Sequence, residues 1–64
     1  MITVTRLDKS LVVINAELIK MIETTPDTLI TLINGDTLIV RESVDDVVGR
    51  AVDYARQIRA FNVV

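Results

Sequence analysis

Two hydrophobic patterns meet near Glu42. Before it, β-branched residues crowd the chain in short apolar stretches; after it, Val, Ala, Asp and Arg recur at helical spacing. β-branched side chains lose freedom in helices and fit pleated sheets, so the first part predicts strands and the second a helix. Ile2 to Leu7 predicts a first strand, and Asp8-Lys9-Ser10 is polar enough to turn. Leu11-Val12-Val13-Ile14 predicts a second strand with both faces covered. Asn15 is placed to cap one helical turn through Ala16-Glu17-Leu18, because its side chain can accept from free N–H groups. Lys20 to Thr24 predicts a third strand. Thr25-Pro26-Asp27 ends it, since proline lacks a donor and holds its predecessor extended.

The clearest local signal follows. Thr28 to Ile33 and Asp36 to Arg41 flank Asn34-Gly35, the pair best suited to positive φ at both centres of a type I′ turn. A two-residue loop would set Ile33 against Asp36, Thr31 against Leu38 and Leu29 against Val40. Both hairpin faces would then be mainly apolar, one carrying Leu29, Ile33, Leu38 and Val40, the other Ile30, Leu32 and Ile39.

The helix is predicted over 43–60. Ser43 precedes Val44-Asp45-Asp46, so it can cap while Asp46 favours the positive end of the helix dipole. Val44, Val47, Val48, Ala51, Val52, Ala55 and Ile58 form one apolar stripe. Asp46 and Arg50 are placed for an i,i+4 pair, and Gly49 weakens the helix while permitting close packing. The expected fold is α+β: a small, curled antiparallel sheet of four to five short strands, then one amphipathic helix. With no Pro/Gly-rich linker, residues 1–64 read as one domain.

The size of the chain changes this picture. In 64 residues apolar burial barely offsets the entropy of ordering the chain. Cys 0 and His 0 remove disulfides and the usual zinc sites. One helix covers one sheet face, and Phe61-Asn62-Val63-Val64 is apolar where tails are usually polar. The expected remedy is self-association into a homo-oligomer, with Phe61 as a contact candidate.

Net charge −2 gives no broad field to attract nucleic acid, and the aromatics, Tyr54 and Phe61, are too few for base stacking. The basic residues are scattered; an RNA-binding rim would need oligomerisation to gather Arg6, Lys9 or Arg41. No uncharged run approaches the ~18 residues of a membrane span, despite a mean hydropathy of +0.45. The N-terminal residues lack a basic start followed by an apolar core, so the expected location is cytoplasmic.

Little chemistry is on offer. Without His or Cys the commonest general bases and nucleophiles are missing. Ser10 and Ser43 have turn and cap roles, and Gly35 and Gly49 form no phosphate loop. Asp45 and Asp46 point about 100° apart and sit where helix dipoles favour acids. The expectation is a non-enzymatic protein without cofactor or metal.

One resemblance runs through the chain. Met1-Ile2 leading to Thr5-Arg6-Leu7, Asn15-Ala16-Glu17-Leu18-Ile19, Ile22-Glu23, Thr25-Pro26-Asp27-Thr28, Ile30-Thr31-Leu32 and the Gly35 turn follow in order. With Val40 and Glu42-Ser43 they resemble the flagellar FlbD family over roughly residues 1 to 50. The sequence departs at Asp8-Lys9, where the family commonly has Asn-Gly. The resemblance implies a small cytoplasmic flagellar protein, at the cytoplasmic side of the basal body. Like the family's SwrD-type members, it would raise motor power for swarming through contact with the stator. The loops carrying the resemblance supply Arg6, Asn15, Glu17, Pro26 and Asp27 as partner-contact candidates. The rivals are a small RNA-binding regulator and a structural subunit of a larger complex.

Overall fold

The computed structural model describes residues 1–24 and 26–63, with side chains up to residue 58. Strands β1 (Ile2–Thr5) and β2 (Leu11–Ile14) pair antiparallel, and a 3-10 turn (Ala16–Leu18) leads into a second sheet of β3 (Ile19–Thr24), β4 (Thr28–Leu32) and β5 (Thr37–Val40). Helix α1 (Val44–Val63) follows. A bridge between Arg6 and Val40 and a bond from the Arg41 N–H to the Thr5 carbonyl at 2.8 Å join the two sheets. The two sheets thus touch at one corner, the end of β1 beside the end of β5, and enclose one core. This is the expected α+β architecture, with β1 two residues shorter than the pattern predicts.

The core among the described residues is Ile2, Val4, Ile14, Ile30, Val40 and Val47. Val47 is the helix's fully buried contribution, flanked by half-buried Ala51, Tyr54 and Ile58. Ser43 caps α1 as expected, its Oγ accepting from the Asp46 N–H at 3.1 Å. The apolar stripe is wider than the contact it makes. Val48 and Val52 stay 43% and 41% exposed, because they lie about 100° and 140° around the helix from Val47, beyond the side turned to the sheets. A Cβ added at Gly49 would meet nothing within 4 Å, so close packing among the described residues does not explain that glycine.

Three expectations are corrected. First, β2 is covered on one face only. Val12 and Ile14 turn inward, while Leu11 and Val13 are 70% and 61% exposed, since one face of the β1–β2 sheet packs on the core and no described residue covers the other. Second, the β4–β5 hairpin is offset by one residue. It pairs Thr28 with Val40, Leu29 with Ile39, Ile30 with Leu38 and Thr31 with Thr37. A three-residue loop replaces the two-residue one: the Leu32 N–H donates to the Asp36 carbonyl, the Gly35 N–H to the Leu32 carbonyl, and Gly35 alone in the loop has positive φ, at 93°. The Asn34 side chain favours this form by accepting from the Asp36 N–H at 3.0 Å. The offset exchanges partners between faces. Thr28, Ile30, Leu32, Leu38 and Val40 now share the inner face, and Leu29, Thr31, Thr37 and Ile39 the outer one, which is half threonine rather than mainly apolar. Third, Arg50 leaves Asp46 and pairs with Glu42 at 3.4 Å.

Candidate functional site

The β1–β2 connection is built like the β4–β5 one. The Arg6 N–H donates to the Ser10 carbonyl and the Lys9 N–H to the Arg6 carbonyl, both at 2.9 Å. Asp8 takes the place of Asn34, its Oδ1 accepting from the Ser10 N–H at 2.9 Å and the Ser10 hydroxyl at 2.6 Å. These bonds from Ser10, hydroxyl first and backbone second, hold the Asp8 carboxyl below its ordinary range. Lys9 takes the place of Gly35, with φ 74°. A tight turn therefore forms here although glycine is missing from its left-handed position.

This turn carries Arg6 and Leu7 to the end of the sheet where β3 turns into β4. There Leu7, Pro26, Asp27, Thr28, Val40 and Arg41 line a shallow depression of about 340 Å³. Arg6 is tied to its wall through the bridge to Val40. Of the residues singled out in the sequence, Pro26 and Asp27 line this depression beside Arg41, and Arg6 stands next to it, its Nη1 donating to the Ser10 hydroxyl at 3.5 Å. Lys9 sits in the loop that carries Arg6, but Asp8 and Asp27 interleave acids with these cations, so the corner is mixed in charge.

Asn15 and Glu17 lie at the opposite end of the β1–β2 ribbon. The Asn15 Oδ1 accepts from the Glu17 N–H at 3.0 Å and caps the 3-10 turn, as its position suggests. Glu17 and Ala16 border a depression of about 330 Å³ against Ala51, Tyr54, Ala55 and Ile58 of α1. Phe61 lies on the α1 backbone, and its side chain falls outside the described residues.

A polar lock next to the corner escaped the sequence reading. Glu42 Oε1 accepts from the Thr5 N–H at 2.8 Å and Oε2 from the Thr5 hydroxyl at 2.7 Å. Arg50 Nη1 donates to the Thr3 carbonyl at 2.6 Å and reaches Glu42 Oε2 at 3.4 Å. Burial raises the Glu42 pKa, but the two Thr5 bonds and the Arg50 charge outweigh it and hold the carboxyl below its ordinary value. The lock fastens the end of β1 to the start of α1 and so fixes the Arg6–Leu7 corner. The sequence signal was faint: a glutamate just before a helix cap, and an arginine two turns into the helix.

A family model described as flagellar and swarming motility proteins matches residues 1–59. The chain belongs to the FlbD family. The FlbD match takes in both loop ends of the sheet, the Glu42 lock and most of α1. No curated protein and no solved structure matches the chain. Among the described residues, no helix is long and apolar enough to cross a membrane.

Proposed function

We propose that this FlbD protein is a non-enzymatic effector of the flagellar motor. It acts by protein–protein contact at the cytoplasmic side of the basal body, with the stator as the partner whose output it raises. The contact is made at the corner formed by Arg6, Leu7, Pro26, Asp27 and Arg41, and the protein works as a homo-oligomer. The observation that supports this reading is the convergence of two family-bearing loop segments, 6–7 and 26–27, at one exposed corner. Loops positioned by a rigid scaffold are where partner contacts concentrate. The corner offers both charge signs and an exposed leucine, which suits a protein surface better than a polyanion. Self-association is supported by the small core and by the uncovered apolar residues of β2 and α1.

Motor torque tests the proposal. With the gene deleted, rotation under high viscous load is recorded and flagella are counted in the same cells. Lower torque at normal flagellar number, restored by the intact gene, is the expected outcome. Unchanged torque overturns the motor-effector reading.

A further inference from the structure

Helix α1 carries a second face that the other described residues leave bare. Its buried side is Val47, Ala51, Tyr54 and Ile58. Asp45, Val48, Gly49, Val52 and Arg56 fall within an arc of about 100° on the far side, and all five are exposed. Three observations on this face fit together. Val48 and Val52 are half-exposed valines on one ridge. Gly49 beside them weakens the helix without any contact to a described residue to justify it, since a methyl group there would meet nothing within 4 Å. Asp45 lies at one end of the ridge and Arg56 at the other, and neither forms an ion pair with another described residue.

We infer that two copies of the chain associate through this face, with their α1 helices antiparallel about a two-fold axis near residue 50. This rests on the self-association half of the proposed function and gives it a location. An antiparallel pairing is what the charges select. It brings Asp45 beside the partner's Arg56 twice, whereas a parallel pairing would set like charges together. The same axis places Val48 against the partner's Val52, and the Gly49 notch lets the two backbones approach. A C2 contact of this kind is self-complementary by construction. It is confined to one helix per subunit, below about 1,200 Å² in total, so the dimer is a weak one.

Sedimentation equilibrium of the full chain tests this over a wide concentration range. The expected result is a monomer–dimer equilibrium with a dissociation constant on the order of micromolar. Gly49→Ala should weaken it on the order of tenfold by filling the notch, while raising the melting temperature of the dilute monomer. That opposite pair of effects separates a lost interface from a damaged fold. Asp45→Arg and Arg56→Asp should each weaken dimerisation, and the double variant should recover it. A chain that stays monomeric throughout overturns both this inference and the self-association reading. A dimer indifferent to all these substitutions overturns the α1 face alone.

Discussion

Lys9 and Gly35 occupy equivalent left-handed positions in two matching turns, at φ 74° and 93°. A side chain there costs roughly 1–2 kcal/mol through its clash with the backbone. Lys9→Gly should recover part of that cost, about 0.5–1 kcal/mol after the entropy glycine adds to the unfolded chain. Gly35→Ala should lose about 1–2 kcal/mol, although its new methyl group meets nothing within 4 Å. Urea unfolding of the two variants checks both signs; a stabilised Gly35→Ala would mean that the turn had changed type. Glu42 gives a pH dependence. Its folded pKa lies below the ordinary 4.5, so the unfolded chain holds the proton more tightly. The stability it contributes is complete above 4.5 and is lost as pH falls through that value toward the folded pKa. Glu42→Gln should cost about 1–3 kcal/mol at pH 7. Its stability should also fall less than the parent's between pH 7 and pH 4, as measured by denaturation at both.

At the level of elements, the helix is where local and tertiary demands separate most cleanly. Gly49→Ala should stabilise the isolated subunit by about 0.8–1 kcal/mol, seen as a melting shift of several degrees in dilute solution. Val47→Ala should destabilise it by about 2–3 kcal/mol, because the valine is fully buried and its loss leaves a cavity between helix and sheet. The existence of each element was legible in the sequence because its signal is local: β-branched runs, the Ser43 cap, the Asn15 cap, the proline after β3. What was not legible is what depends on competition between near-equal local solutions. Asn34-Gly35 suits a two-residue or a three-residue loop, and the three-residue form is favoured by the Asn34 side chain, which accepts from the Asp36 N–H and donates to the Asp36 carboxylate. That choice then decides which side chains of β4 and β5 share a face. The coverage of β2 was similarly hidden, since an apolar tetrapeptide reads alike in the middle of a sheet and at its edge. The Glu42–Thr5–Arg50 lock joins residues far apart in sequence, and no periodicity announces it.

On the scale of the whole molecule, the two sheet ends make separable predictions about function. The strands are four to six residues long, so the ends of the β1–β2 ribbon stand about 13 Å apart. Helix α1 starts beside the corner end and, at ~1.5 Å per residue, runs past the other, giving a molecule of 41 × 22 × 18 Å. A partner seated on the corner therefore leaves the exposed α1 face free for a second copy, and one dimer can present two corners at once. Such bivalence would raise effective affinity for a partner present in several copies without any new contact. Arg6, Asp27 and Arg41 are exposed, so Asp27→Arg and Arg41→Glu should change stability by less than about 0.5 kcal/mol. If the corner meets the partner, both should abolish complementation of the deletion strain's torque defect while the purified proteins melt as the parent does. Glu17→Lys, at the far end of the ribbon, should complement fully. Variants of the α1 face should fall between, losing torque at low expression and regaining it when overproduced, because they lose bivalence and keep the contact. Full complementation by both corner variants would move the partner contact elsewhere on the surface, and failure of Glu17→Lys alone would move it to the groove between the 3-10 turn and α1.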